Sequence, residues 1–263
     1  MSRDAATIGQ ESEREFRDRL AAGHAVTARP ALLEMVAQFH CVSVMRRRAK
    51  EFASRFSAGD RLLDVGIGWG WHWQGHTSGP LVIGVDMSIG NLQLARRVLG
   101  KTDRVVLVCA DAAALPLRRG SIAGVWSVQA FQHMPERVLA QAKAEIDRTL
   151  REDFRIEMSN LNPALLHRIV YRLAGRRLHR RGRMGEMELS RRTAQEWARV
   201  WRDFRRGRCR LSTGYSELFF HPDLQLRPRR YPLRLERVLA RVPALARLIA
   251  RQVDVRVESA SRG

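Results

Sequence analysis

The chain has 263 residues, of which 45% are apolar, and its formal net charge is +20. This length suits one α/β domain with an elaboration, and the apolar content can bury a substantial core. No stretch of the sequence approaches the roughly 18 to 20 uninterrupted apolar residues of a membrane span, so no transmembrane segment is expected. The first residues lack the apolar core of a signal peptide, which predicts a cytoplasmic protein.

The positive charge is concentrated in the C-terminal half. Residues 1–150 hold 20 basic and 15 acidic side chains, whereas residues 151–263 hold 27 basic and 12 acidic ones. Arginine supplies 44 of the 47 basic residues. Such a basic half raises three kinds of partner: RNA, an anionic membrane surface or an acidic substrate. Contact with an anionic surface would make the protein peripheral to a membrane.

From Arg61 onward, short apolar segments alternate with amphipathic helical segments. Helical spacing is clear at 89–100 and 136–150, between segments rich in β-branched residues. This alternation predicts a doubly wound, Rossmann-like α/β fold with helices on both faces of a mostly parallel, seven-stranded sheet. The predicted strands are 61–67, 80–87, 104–111, 122–129, 153–160, a segment beginning at 208, and 253–258.

The sequence outside this alternation predicts additions to the same domain. Residues 1–57 form a helical lead-in, with apolar helical spacing over 10–22 and 29–57, and residues 58–263 form the main domain. We expect 160–232 to be an insertion on the substrate side, including a basic loop at 176–183. Residues 232–258 are expected to supply a closing helix, kinked at Pro243 and packed on the sheet, and then the last strand.

The turn after the first predicted strand contains the strongest motif, Asp64-Val65-Gly66-Ile67-Gly68-Trp69-Gly70. Ligands of open parallel sheets bind beyond the carboxyl ends of the strands, and glycines there let the backbone approach a ligand closely. Asp86 and Asp111 end the next two predicted strands, where carboxylates can accept hydrogen bonds from a ribose and from an adenine amine. Together these features predict a nucleoside site.

Two cofactors fit such a site, a dinucleotide or S-adenosylmethionine. In a dinucleotide motif the third glycine comes one position later than Gly70, and an anionic pyrophosphate lies at the helix N-terminus. Asp64 would repel a pyrophosphate but suits the cationic amino-acid end of S-adenosylmethionine. The residues therefore favour S-adenosyl-L-methionine.

At this point the sequence resembles the class I S-adenosylmethionine-dependent methyltransferases, particularly the group called methyltransferase type 11. The resemblance rests on LLDVGIGWG, VIGVDMS and VCADAAALPLRRGSIAGVWSVQAFQHMP, in this order and spacing. It implies that the first motif surrounds the methionine part of the cofactor, that Asp86 binds the ribose, and that Gln129 faces the methionine or the substrate. The full implied cofactor set is Asp64, Gly66, Gly68, Trp69, Gly70, Asp86, Met87, Asp111, Ala112 and Gln129.

Trp69 and His133 are the two members of this region whose roles need a separate argument. Trp69 stands where the family usually has a small residue, and we expect it to border the methionine end or the acceptor entrance. If a helix begins near Trp69, then Trp69 and Trp73 share a face of it. His133 follows the fourth predicted strand, where a histidine could act as the general base for a hydroxyl acceptor.

No metal site is expected. The cysteines, Cys41, Cys109 and Cys209, form no CxxC pair, and they also predict no disulfide framework. His72 and His76 are four residues apart, but the sequence supplies no third ligand at useful spacing.

The resemblance implies an enzyme that transfers a methyl group from S-adenosylmethionine to a small-molecule, lipid or sugar acceptor. We prefer an oxygen atom as the acceptor because no feature of the sequence identifies nitrogen or carbon. An RNA methyltransferase is the main alternative because of the positive charge. A protein that binds S-adenosylmethionine without catalysis is the third hypothesis.

Overall fold

The computed structural model describes residues 5–173, 181–184, 187–222, 228 and 230–260. Seven strands form one sheet, and β6 (Arg181–Met184) and β7 (Met187–Ser190) form a separate antiparallel hairpin. The sheet strands are β1 (Arg61–Val65), β2 (Leu81–Asp86), β3 (Val105–Cys109), β4 (Ile122–Val128), β5 (Leu150–Leu161), β8 (Cys209–Ser216) and β9 (Gln252–Ser259). Their order is β3-β2-β1-β4-β5-β9-β8, and β9 is the one strand of this sheet that runs opposite to the other six. The predicted mostly parallel, seven-stranded fold is confirmed.

Nine α-helices occur in the part of the chain that the structure describes. They are α1 (Ala5–Gly23), α2 (Arg29–Phe39), α3 (Val42–Ala53), α4 (Ile89–Leu99), α5 (Glu136–Thr149), α6 (Leu165–Leu173), α7 (Ala194–Trp201), α8 (Leu233–Leu239) and α9 (Pro243–Ile249). The helical spacing over 29–57 corresponds to two helices, because His40 adopts extended backbone between α2 and α3. None of these helices is long and apolar enough to cross a membrane.

The helices cover both faces of the sheet. One face carries α3 and α4, whose Phe52 and Leu92 belong to the same buried cluster as Leu62 and Trp126 of the strands. The other face carries α5 and α7, which pack on Leu63 and the alternate residues of β1, β4, β5 and β9. Because successive side chains of a strand point to opposite faces, the residues of β1 alternate between these two cores.

Gly124 of β4 shows how closely α3 approaches the sheet. A Cβ atom at this position would lie 2.5 Å from Cζ of Phe56 and 3.0 Å from Cζ of Phe52. Any larger residue would therefore displace the Phe52 and Phe56 rings that pack here. The predicted lead-in thus contributes part of the main core.

The connection between β1 and β2 contains no α-helix. It holds one short 3₁₀ turn, Trp71–Trp73, against which α3 packs. The expectation that a helix begins near Trp69 is wrong. Gly68, Gly70 and Gly75 all have φ between +55° and +81°, a left-handed backbone that interrupts a right-handed helix.

The region expected to close the domain also differs from the prediction. It forms two short helices, α8 and α9, with their apolar residues Leu235, Val238 and Val242 between 49% and 59% exposed. Glu236 is buried instead, because its Oε2 accepts hydrogen bonds from the Leu218 amide at 2.9 Å and from the Tyr231 hydroxyl. Leu235 and Val238 of α8 therefore face solvent.

The hairpin was also not predicted. Its strand β6 lies in the segment expected to be the basic loop 176–183, of which 176–180 lie outside the described residues. β7 packs against α1 and against the turn Phe131–His133. It therefore stands beside the carboxyl end of β4.

Candidate active site

A cavity of about 710 Å³ opens at the carboxyl ends of the parallel strands. Such a volume is in the range of small-molecule and cofactor sites. The structure brings nine of the predicted site residues to its wall: Gly66, Gly68, Trp69, Asp86, Met87, Asp111, Ala112, Gln129 and His133. Asp64 and Gly70 do not line it.

The three glycines of the turn have different surroundings. A Cβ on Gly66 would lie 2.4 Å from the Cβ of Ala130, and a Cβ on Gly70 would lie 3.2 Å from Leu99. A Cβ on Gly68 would meet nothing within 4 Å, so this residue leaves open space that a ligand can occupy. Gly70 lies away from the cavity because it is turned towards α4. A glycine is required at this position because a side chain would crowd Leu99 and because φ is +64°.

Asp86 is held rigidly at the end of β2. Its Oδ2 accepts from the Gly68 amide at 2.9 Å, and its Oδ1 accepts from the Ser88 amide at 2.9 Å and from the Asn91 amide group at 3.2 Å. Burial raises the pKa of this carboxyl, although these hydrogen bonds and Arg17 oppose the effect. These hydrogen bonds fix the orientation of the carboxylate at the wall of the cavity.

Asp64 points into the core rather than into the cavity. Residues two apart in a strand share a face, so Asp64 lies on the same side of β1 as Leu62, next to Trp73. Its Oδ2 accepts from the Trp73 indole at 2.7 Å and is 2.6 Å from Nε2 of His72. His72, whose spacing from His76 suggested only a metal ligand, does line the cavity.

His76 likewise has a protein partner, since its Nε2 donates to the Pro80 carbonyl at 2.9 Å. No group of three metal-binding side chains occurs among the described residues.

Gln129 combines backbone strain with an unpartnered donor. Its φ is +59°, a left-handed backbone conformation that residues other than glycine rarely adopt. Its backbone N–H donates to the Ser159 carbonyl at 2.7 Å. The side-chain Nε2 is buried and has no hydrogen-bond partner among the described residues. Strain of this kind persists where the surrounding structure imposes it, often at ligand sites.

Asp111 and Ala112 follow β3 on the adenine side predicted for the cavity. Asp111 Oδ1 accepts from the Ala113 amide at 2.8 Å, which fixes the turn, and Ala112 is buried. On the opposite side, His133 is buried and its Nε2 lies 3.2 Å from the side-chain nitrogen of Gln132. Gln132 in turn accepts from the Leu161 amide at 2.6 Å, so this part of the wall is built from connected groups.

The N-terminal helices supply cavity residues that were not predicted individually: Glu13, Arg17, Leu20, His24, Met35, Val36, Gln38, Phe39 and His40. In the sequence, these residues are indicated only by an apolar helical face that precedes the first strand. Burial, together with Arg251, His72 and Arg17, lowers the pKa of His40 to about 3. His40 is therefore uncharged near neutral pH and can exchange hydrogen bonds there without carrying charge.

The unpartnered atoms of the cavity suit the amino-acid end of S-adenosylmethionine. Gln129 offers a donor, which a carboxylate requires, and His72 has a ring nitrogen without a partner among the described residues. Gly68 leaves open space beside them, and the Asp86 carboxylate, an acceptor as a ribose hydroxyl requires, lines the same cavity. These residues fit the cofactor.

Fold and site together define the class I S-adenosylmethionine-dependent methyltransferase fold. Residues 62–153 match the family described as "Methyltransferase domain". The methyltransferase GfsG of Streptomyces halstedii is 36% identical over 110 residues, which are 40% of this chain and 39% of that protein. The 27-O-demethylrifamycin SV methyltransferase of Amycolatopsis mediterranei is 37% identical over 92 residues, 32% of this chain and 34% of that one.

A solved structure of a SAM-dependent methyltransferase from Archaeoglobus fulgidus aligns with a TM-score of 0.57. The alignment covers 83% of this chain and 94% of that one at 15% identity, so it supports the fold alone. The chain spans less than half the length of the two curated relatives. It carries a class I S-adenosylmethionine-dependent methyltransferase domain, and S-adenosylmethionine is the cofactor of this domain.

Proposed function

We propose that the protein transfers the methyl group of S-adenosylmethionine to an oxygen atom of a small-molecule, lipid or sugar acceptor. The observation that carries this proposal is the continuity of the cavity. It runs from Asp86 and Gly68, which fit a nucleoside, to apolar side chains of α1 and α2 such as Leu20 and Phe39. One end thus suits the cofactor and the other an acceptor with an apolar body. The curated relative that is named as a 27-O-demethylrifamycin SV methyltransferase supports oxygen as the acceptor atom.

The cofactor, when bound, supplies an electrophilic methyl group, so the protein's main task is to align the acceptor and exclude water. Asp86 would hold the ribose, Met87, Asp111 and Ala112 would surround the adenine, and Gln129 would donate to the carboxylate. Trp69 and Gly68 would border the methionine end.

His133 would accept the proton of a hydroxyl acceptor. His40 lies in the same cavity, but with a pKa of about 3 it is too weak a base for this task at neutral pH.

Calorimetric titration with S-adenosylmethionine tests the cofactor part of the proposal. Asp86→Ala should weaken binding by roughly 10- to 100-fold, because hydrogen bonds to a charged group contribute about 1.5–3 kcal/mol. Asp103→Ala is the matched control, since Asp103 is exposed and lies outside the cavity. Absence of binding, or equal binding by both variants, would contradict the proposal. Binding without turnover on any acceptor would favour the non-catalytic alternative.

A second candidate is an acceptor presented at an anionic membrane surface, which would make the protein peripheral to a membrane. The exposed apolar side chains of α8 and α9 favour it. They alternate with four exposed arginines, and Glu236, the acid of 231–250, is buried. An amphipathic basic surface of this kind binds anionic bilayers through combined apolar burial and charge attraction.

Co-sedimentation with phosphatidylglycerol vesicles, compared with phosphatidylcholine vesicles, tests this second candidate. The double variant Leu235→Ser, Val238→Ser should lose binding to the anionic vesicles, whereas Val26→Ser, at an exposed position between α1 and α2, should retain it. Equal sedimentation of all three proteins would remove the candidate. Tight association with bulk RNA that weakens steeply with salt would favour the RNA methyltransferase alternative instead.

A further inference from the structure

The carboxylate of the first motif is separated from the cavity by a histidine. Asp64 is fully buried and absent from the cavity wall, whereas His72, 4% exposed, belongs to that wall together with Gly66, Gly68 and Trp69. The 3₁₀ turn Trp71–Trp73, which stands where a helix was expected after β1, brings His72 into this place. Asp64, which was predicted to face the cofactor, is therefore connected to the cavity through the imidazole ring of His72.

The hydrogen bonds of Asp64 determine which nitrogen of His72 carries a hydrogen. A carboxylate only accepts, so Nε2 of His72, 2.6 Å away, is the donor, as is the Trp73 indole at 2.7 Å. In the neutral ring Nδ1 is then an acceptor. Nδ1 is buried and has no hydrogen-bond partner among the described residues.

Aromatic rings fix the plane of the imidazole. The ring centroids of Trp71, Trp73 and Trp126 lie 5.1, 5.8 and 6.4 Å from that of His72. Trp71 also lines the cavity. An imidazole packed in this way cannot turn its nitrogens freely, and the electron-rich faces of indole rings attract cations.

We propose that His72, positioned by Asp64, binds the α-ammonium group of the cofactor's amino-acid end. His72 thus takes the role that the sequence predicts for Asp64, and Asp64 acts as a positioning residue. The ammonium supplies the donor that Nδ1 lacks, while Gln129 Nε2 supplies the donor for the carboxylate of the same amino acid. This inference rests on the proposed use of S-adenosylmethionine.

Two ligands that differ only at this end test the proposal. S-adenosylhomocysteine carries the amino acid, whereas 5′-methylthioadenosine shares the adenosine and the thioether but lacks it. In calorimetric titrations of the full chain, His72→Phe should weaken S-adenosylhomocysteine binding by about 10- to 100-fold. It should leave methylthioadenosine binding unchanged, because phenylalanine keeps the aromatic contacts.

Three further variants complete the test. His72→Asn places a carbonyl oxygen near the position of Nδ1 and should retain more of the preference for S-adenosylhomocysteine than His72→Phe. Asp64→Asn should reduce the same preference, because it weakens the hold on the ring. His76→Phe, close in sequence but outside the cavity, should change neither affinity.

Equal weakening of both ligands in His72→Phe, or no weakening of either, would overturn the proposal. If His72→Phe does not fold by circular dichroism, the His72→Asn and Asp64→Asn titrations carry the test. Failure of the wild-type protein to bind either ligand would instead refute the proposed function. Equal wild-type affinity for the two ligands would refute only the role of His72.

Discussion

The indole N–H of Trp69 donates to Oδ1 of Asn91 at 3.2 Å, and Asn91 in turn donates to Oδ1 of Asp86 at 3.2 Å. Trp69 is thereby connected to the carboxylate predicted to hold the ribose. Its ring also meets the imidazole of His24 edge-to-face, with 5.5 Å between centroids. The tryptophan of the glycine turn thus links the end of β2 to His24, which directly follows helix α1.

Replacing Trp69 should therefore affect cofactor affinity in two separable ways. Trp69→Phe keeps a ring against His24 but removes the hydrogen bond to Asn91, and we expect a roughly 3- to 10-fold loss of S-adenosylmethionine affinity. Trp69→Thr, the smaller residue usual in the family, should in addition widen the acceptor end. Calorimetry with the cofactor measures the first effect. Unchanged affinity in both variants would show that Trp69 only fills space.

Alanine at two glycines should separate stability from binding. Gly66→Ala places a Cβ 2.4 Å from Ala130 at a φ of +69°, so it should lower the free energy of unfolding by about 2–4 kcal/mol. Gly68→Ala meets no neighbour and should cost only about 1–2 kcal/mol for its φ of +55°. Its methyl group should instead obstruct the cofactor. Urea unfolding and calorimetry on both variants test this contrast, which the reverse ranking would contradict.

Gln129 should be dispensable for folding. Glycine tolerates a φ of +59°, so Gln129→Gly should change the free energy of unfolding by no more than about 1 kcal/mol while weakening cofactor binding. Gln132→Ala is the informative comparison, because it leaves the Leu161 amide without its acceptor. This change should lower the free energy of unfolding by about 1–3 kcal/mol. A large stability loss in Gln129→Gly would mean that its side chain is structural.

Arg48 should be essential for stability above acidic pH. Its Nη1 lies 2.7 Å from Oδ1 of Asp254, and both side chains are buried. Burial alone would raise the pKa of Asp254, but Arg48 and Ser159 outweigh it and the net pKa is below the usual 3.8. Arg48→Met leaves a buried charge and should cost about 3–5 kcal/mol.

The pH dependence of this pair has a definite sign. Because the folded pKa of Asp254 is lowered, its stabilisation is present above the ordinary pKa and is lost as the pH falls through the folded value. The difference between wild type and Arg48→Met should therefore be largest near neutral pH and shrink below pH 3.8. Urea unfolding across this range measures it. A difference that grows in acid would contradict the assignment.

The strands of the sheet could be predicted because strand periodicity is a local property of the sequence. Strand periodicity and the acids at strand ends place Asp86 and Asp111 beside the cavity without any knowledge of packing. The orientation of Asp64 was missed, since it depends on which strand face meets Trp73. That face is set by the absence of a helix between β1 and β2. The glycines of this turn are visible in the sequence. Their left-handed conformation, and its effect on the direction of the chain, are visible only in the structure.

The amphipathic pattern of a helix likewise predicts only part of the structure. The pattern over 232–251 identifies an apolar face correctly, yet it does not say whether another part of the chain covers that face. In the structure the network of Glu236 with Tyr231 and the Leu218 amide turns the opposite side inward. Likewise, His24 and His40 reach the cavity only because α1 and α2 fold over the sheet.

The ion pair between Arg48 and Asp254 joins two parts of the chain that lie far apart in sequence. It ties a helix before the first strand to the last strand of the sheet, while the family match ends at residue 153. This buried contact therefore lies entirely outside the portion of the chain that is recognisable by similarity. A fragment trimmed to 62–153 would keep the motifs and lose both partners of this buried contact. Transplanting the catalytic domain into another protein would require the whole stretch from α3 to β9.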